Sequence, residues 1–255
     1  MLFVWGKKYA YKDLGYAADF CPICRGPQAF KLRRTNLVPH FWYIPTGAGV
    51  FVCMNRRCQS CGVDFNGDPA RYATLSRKSG SFTDLKPTTF PQFDTVERNR
   101  LDLETAIRKD PAALSARDRQ VLIRQPLQLL SPMVQERFAK LRGDRWVTIT
   151  AVLAFMMLLG ANGASQRPDA VEGAEAFTLW VLMLGALAVI VQFALSGRRW
   201  VRGQLTPLMV RCLGPLKPSR TEVEAAVAEM KQQKHKIGSK VNVDYLMKRL
   251  DTARG

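Results

Sequence analysis

Two stretches of this 255-residue chain carry no charged side chain: residues 146–166, 21 positions long, and residues 176–197, 22 positions long. A helix needs about 20 apolar residues to cross the hydrocarbon core of a bilayer, so both runs have the length of a membrane span. Their strengths differ. The first holds seven residues from the Leu, Ile, Val and Phe set and is diluted at its end by Gly160, Asn162, Gly163 and Ser165; the second holds eleven. At roughly −0.3 to −0.6 kcal/mol each, these side chains contribute about −2 to −4 kcal/mol of insertion free energy in the first run and about −3 to −7 kcal/mol in the second. The sequence predicts a transmembrane hairpin over 146–197, with helices at 146–163 and 176–197. The second helix is a self-sufficient anchor and the first depends on it. The alternative is a buried helical hairpin in a soluble protein, but two such runs are hard to cover on every side in so small a chain.

Charge sets the expected orientation. Arg137, Lys140, Arg142 and Arg145 precede the first run, and Arg198, Arg199, Arg202 and Arg211 follow the second. Between the runs, Arg167 stands against Asp169, Glu172 and Glu175, in a chain of formal net charge +17. Basic flanks stay on the cytoplasmic side, so both termini are expected in the cytoplasm, which in a bacterium means an inner-membrane protein. Trp146 and Trp200 fit interfacial anchors. The opening MLFVWGKKYAYK has its apolar run before its basic residues, the reverse of a signal peptide.

Five of the six cysteines fall between positions 21 and 61. Cys21-Pro-Ile-Cys24-Arg-Gly26 and Cys58-Gln-Ser-Cys61-Gly62 are two CxxC knuckles in order. Two intervening residues let both thiolates of a turn face one ion, and two knuckles on facing hairpins make a tetrahedral four-sulfur site suited to Zn²⁺. Such a sphere is closed, so the zinc is expected to be structural. Cys53, separated from Cys58 of the second knuckle by four residues, and His40, in the aromatic run PHFWYIP, remain alternate ligands. Cys212 lies beside apolar Val210 and Leu213 and reads as buried or membrane-apposed.

The stretches FVWGKK, LGYAADFCPIC, VPHFWYIPTGAG and CQSCG resemble the zinc-ribbon family of small, often membrane-associated proteins. The resemblance covers residues 1–72. It implies a four-cysteine ribbon with Cys21, Cys24, Cys58 and Cys61 as ligands, and it implies no activity. The chain departs from the usual pattern by placing Arg25 where a glycine directly follows the first knuckle, which weakens a rubredoxin reading with iron.

The expected fold class is multidomain: a small β zinc ribbon (1–75), a linker (76–92), a helical cytoplasmic region (93–145), the two-helix transmembrane hairpin (146–197), and a basic juxtamembrane segment with C-terminal helices (198–255). Within 93–145, one helix is expected from Thr95 to Lys109 and a second to break at Pro126. A third is expected from Pro132, with Ser131 as its N-cap. Near the C-terminus, Thr221 to Glu224 has the pattern of a capping box. It opens a helix with Val223, Ala226, Val227 and Met230 on one face, and a last helix runs from Val243 to about Thr252.

No catalytic constellation is evident: His40 and His235 stand near no recognisable nucleophile. Neither apolar run contains an ionisable residue, the usual marker of a transport path. The expected function is non-enzymatic, a membrane-anchored module that binds a protein partner in the cytoplasm, with membrane lipid as a second partner and no small-molecule substrate. One alternative is nucleic-acid binding. Arg33, Arg34, Arg56 and Arg57 lie among Phe30, Phe41, Trp42 and Tyr43, a mixture suited to phosphate contacts and base stacking. The bland reading of the same residues is an aromatic core with solvated charges. Arg198, Arg199 and Arg202 are expected near anionic headgroups or packed on the cytosolic domain. The other alternative is a rubredoxin-like electron carrier or a component of a membrane complex.

Overall fold

The computed structural model describes residues 5–42, 44–139, 143–165 and 174–253. Tyr43, Lys140, Arg142 and the loop charges Arg167, Asp169 and Glu172 lie outside the described residues. The chain forms two compact units. One is Met1–Arg119 with Arg211–Lys217, and the other is Gln120–Val210 with Pro218–Gly255.

The first unit is built on an antiparallel sheet of β1 (Trp5–Cys21), β2 (Gly26–Phe41), β3 (Ile44–Pro45), β4 (Val50–Cys58) and β5 (Asp64–Asn66). The strand order is β1-β2-β4-β5, with β3 paired to β2. A small β ribbon was expected here, and its strands β1 and β2 run for 17 and 16 residues. Their pairing extends from Trp5 opposite Phe41 to Cys21 opposite Gly26. In the same sheet Phe30 pairs with Cys58. The β1–β2 and β4–β5 turns therefore emerge at the same end of the sheet.

That end is also where the core sits. Ala17, Phe20, Leu32, Tyr72, Phe90 and Phe93 form one buried cluster, with Leu14, Leu75, Phe82 and Leu101 packed against it. The stretch 76–92, expected as a linker, supplies part of this core. Ser81 and Asp84 form a reciprocal capping box that opens α1 (Phe82–Thr89). The side-chain and backbone donors so satisfied start a helix that polarity alone argued against. Its Leu85 and Thr89 are buried. Thr89 Oγ1 accepts from the Ala18 amide at 3.0 Å and donates to the Leu85 carbonyl at 2.8 Å, stitching α1 to β1. The rings of Phe82, Phe93, Phe90 and Tyr72 meet edge to face in sequence, at 4.9, 5.6 and 5.9 Å. Helices α2 (Phe93–Val96) and α3 (Arg98–Lys109) follow.

Helix α4 (Ala116–Ala139) passes straight through Pro126 and Pro132, where a break and a new start were expected. Each proline removes one backbone donor. Ile123, Leu127, Leu130 and Val134 nevertheless occupy one helical stripe and are all buried. Burying a large aliphatic side chain contributes about 1.5–3 kcal/mol, so the continuous stripe outweighs two missing hydrogen bonds. Ser131 is therefore no N-cap. Its hydroxyl meets His235 Nδ1 at 3.0 Å and holds α4 to the turn before α9.

Helices α5 (Arg145–Ser165) and α6 (Ala174–Trp200) are long and apolar enough to cross a membrane. Val147 and Ala161 are buried, but most of the large apolar side chains of these helices are uncovered: Met157 is 63% exposed and Ile190 is 64% exposed. The two helices approach closely at Gly185, where a Cβ would stand 3.0 Å from that of Ala154. Small residues at such a point let helix backbones meet in lipid. Asp144 caps the start of α5 by accepting from the Val147 amide at 3.1 Å. The same carboxylate takes two donors from Arg199 on α6, at 2.7 and 3.0 Å, which holds it below the usual carboxylate range. This bidentate pair ties together the ends of the two helices.

A π turn (Val201–Leu205) leads into α7 (Thr206–Leu213), then α8 (Arg220–Gln232), α9 (Lys236–Lys240) and α10 (Val243–Thr252). The cap of α8 is two residues earlier than expected. Ser219 accepts from the Glu222 amide and Glu222 reaches back to the Ser219 amide. Val223, Ala226, Val227 and Met230 form the buried face of α8 as anticipated, and Leu246 and Leu250 that of α10.

Truncation of Leu85 to alanine distinguishes a core helix from a linker. A loss of about 2–5 kcal/mol is expected for a buried leucine, read as a lower denaturant midpoint together with faster hydrogen exchange along β1. A linker would leave both unchanged.

Candidate metal centre

The paired turns at the buried end of the sheet bring Cys21, Cys24, Cys58 and Cys61 together, with all four sulfurs within 4.8 Å of one another. Cys21 Sγ lies 3.7 Å from Cys61 Sγ, and Cys24 Sγ lies 3.9 Å from Cys58 Sγ. A tetrahedron with metal–sulfur bonds of about 2.3 Å has edges of about 3.8 Å. The separations fit that edge and are far beyond a disulfide bond. The four cysteines can therefore hold one metal ion.

The backbone of each knuckle is shaped for this. The residue after the second cysteine adopts positive φ in both turns: Arg25 at 53° and Gly62 at 71°. Gly62 does so at no steric cost, whereas Arg25 must overcome the clash of its Cβ. The Cys24 amide points at Cys21 Sγ from 3.4 Å. The Cys61 amide turns likewise to Cys58, and the Val63 amide to Cys61. Amide donors of this kind favour the ionised sulfur.

Arg25 replaces the expected glycine because its side chain is used. It is 3% exposed. Its Nε donates to Glu104 Oε2 of α3 at 2.8 Å, and Nη1 donates to the Cys212 carbonyl at 3.2 Å. Arg108 in turn donates to the Arg25 carbonyl at 3.1 Å. The first knuckle is thus clamped between α3 and the segment Arg211–Lys217. That segment reaches the sulfurs themselves: Arg211 Nη1 stands 3.6 Å from Cys24 Sγ and 3.2 Å from Ser60 Oγ, bridging the two knuckles. Cys212, buried as expected, donates its thiol to the Pro22 carbonyl at 3.4 Å, and burial pushes its pKa up to about 12.

Hydrogen bonding from Cys21 draws Cys24 well below the ordinary thiol range and brings Cys58 down to about 7, while the bond to Cys24 pushes Cys21 up. A metal ion lets all four ionise together, and Arg211 places one positive charge beside the resulting anionic cluster.

Of the alternate ligands, neither Cys53 nor His40 joins the group. Cys53 pairs with Thr35 and its thiol faces Asn55 Oδ1 at 3.6 Å. His40 lies opposite Gly6, at the other end of β2 from Gly26. Fourteen residues of extended strand place it on the order of 45 Å from the knuckle. The arginines suggested for nucleic-acid or lipid contact divide. Arg56 pairs with Asp19 and stacks between the rings of Phe30 and Phe65. Arg33 pairs with Asp13 at 3.3 Å, and Arg34 lies over the Phe51 ring. Arg57 is half-buried in β4 beside the second knuckle. Arg199 is held by Asp144, while Arg198 and Arg202 are exposed.

Two features escaped the sequence reading. Arg211 is 187 residues from Cys24, so nothing local marks it as a neighbour of the sulfurs. Asp19 is fully buried two positions before Cys21 and accepts from Tyr72 at 2.5 Å as well as from Arg56. A carboxylate inside the otherwise apolar AADFC was its only signal. No protein-family model, curated protein or solved structure matches this chain.

Replacing Cys58 and Cys61 together with serine is expected to abolish metal binding, measured as metal per chain after dialysis, and to unfold the first unit. Cys53→Ser is expected to keep full stoichiometry. Arg211→Gln should retain the metal but weaken its affinity by roughly 10-fold, the scale of outer contacts to metal ligands.

Proposed function

We propose that this chain is a membrane-anchored zinc ribbon that binds a protein partner in the cytoplasm and performs no catalysis. The observation that carries this reading is the division of the sheet. At one end four sulfurs close around a metal position. At the other, Trp5, Tyr11, Trp42, Ile44 and Val50 are uncovered, with Trp5 84% exposed and Val50 71% exposed. Four thiolates fill a tetrahedral sphere and leave no position for water or substrate. Zinc here supplies folding energy to the ribbon rather than chemistry. Contiguous exposed apolar side chains of this kind mark interaction surfaces.

Anchoring is supported by the length and exposure of α5 and α6. A cytoplasmic side for both termini is supported by the basic residues that flank these helices, which the positive-inside rule keeps in the cytoplasm. A protein partner is favoured over RNA or DNA because Arg33 and Arg56 are engaged by Asp13 and Asp19. Iron fits the same four sulfurs, so an electron carrier is the competing reading, and colour separates the two.

Purified full-length protein is expected to be colourless with one zinc per chain; a coloured protein with stoichiometric iron overturns the structural-zinc reading. Reporter fusions after residue 168 and at residue 255 are expected to lie on opposite sides of the membrane, and a same-side result overturns the hairpin. A photo-crosslinking residue in place of Trp42 or Val50 is expected to yield a discrete protein adduct in intact cells. Adducts to lipid or nucleic acid alone would count against the protein-binding role.

A further inference from the structure

Where α6 gives way to α7, the second unit contains a cavity of about 660 Å³, well within the range of small-molecule sites. One wall carries Arg198 and Arg202, four residues apart and so on one helical face. Lys240, at the end of α9, contributes a third positive charge. Among the described residues, no carboxylate lines the cavity. Aromatic rings hold two of the cations without neutralising them: Arg202 lies over Tyr245 at 5.2 Å and Lys240 over Phe138 at 4.9 Å. Arg199, between the two arginines in sequence, has its guanidinium occupied by Asp144 and Gln192 instead. Arg202 also sits in the π turn, a rare geometry that recurs at functional sites.

We propose that this cavity binds the phosphate of an anionic phospholipid. Three cations lining one cavity, with no carboxylate among its described lining residues, are suited to an anion with several acceptor oxygens. The walls select a lipid over a free phosphate. The lining takes Ala194 and Gly197 from the charge-free part of α6, directly beside Arg198 and Arg202. An occupant held by these cations therefore sits where the charge-free run ends, the level of a phospholipid headgroup at a bilayer surface. The inference rests on the reading that α6 crosses the membrane with its Arg198 end in the cytoplasm.

The test uses full-length protein in detergent, titrated with phosphatidylglycerol, phosphatidylcholine or glycerol 3-phosphate, with bound molecules counted by native mass spectrometry. Phosphatidylglycerol is expected to bind at least 10-fold more tightly than either of the others. The variant with Arg198→Gln, Arg202→Gln and Lys240→Gln is expected to lose that preference. A variant with the same charge loss at exposed positions outside the cavity, Lys231→Gln, Lys248→Gln and Arg249→Gln, is expected to keep it. Should the first triple variant fail to fold, Arg198→Gln alone carries the test, with at least 3-fold weaker phosphatidylglycerol binding expected. No preference in the wild type, or an unchanged preference in the cavity variants, overturns the site. Glycerol 3-phosphate binding as tightly as the lipid overturns the lipid assignment. Alkaline extraction of native membranes separates the two readings: a chain released by it overturns the membrane reading and this site together. A chain that stays in the membrane but shows no lipid preference overturns the site alone.

Discussion

Four thiolates held within 4.8 Å of one another repel strongly unless a cation neutralises them. The register of the sheet nevertheless forces them together. Cys21 closes the β1–β2 pairing opposite Gly26, and Cys58 ends β4 opposite Phe30, so both turns must emerge at the same end. The two knuckles share the positive-φ residue and the amide donors that stabilise ionised sulfur. Much around the site reinforces this end of the sheet. The aromatic cluster of α1 and α2 packs behind the first knuckle, Arg25 reaches α3, and Arg211 spans both turns.

The segment Arg211–Lys217 gives the arrangement a wider consequence. It follows the second apolar helix in sequence, yet it belongs to the ribbon unit. Its contacts fall on the knuckle: Arg211 on Cys24, Cys212 on Pro22, and Arg25 on the Cys212 carbonyl. The metal centre is therefore completed by residues that local folding of the first hundred positions cannot supply.

The sequence was most informative where one short-range pattern decides the outcome. The spacing of two CxxC pairs identifies the four clustered cysteines, and two charge-free runs identify α5 and α6. The amphipathic face of α8 was legible for the same reason, because residues three and four apart share a helix face. Reading failed where long-range packing outweighs local preference. Pro126 and Pro132 argue for breaks, but the buried stripe from Ile123 to Val134 keeps α4 continuous. The polar segment around Ser81 looked like a linker, although its capping box and Leu85 make it part of the core. Arg25 departs from the expected glycine, and its buried partners Glu104 and the Cys212 carbonyl, both distant in sequence, explain it. Neither Arg211 nor Asp19 could be placed from sequence, since both act across distances along the chain that no local pattern spans.

X-ray absorption at the zinc edge, on full-length protein purified without added metal, tests the centre most directly. The account requires one zinc per chain, surrounded by four sulfur atoms at about 2.3 Å and no nitrogen or oxygen neighbours. A shell containing a nitrogen or oxygen ligand, or protein that carries no tightly bound zinc while its first unit stays folded, would contradict it.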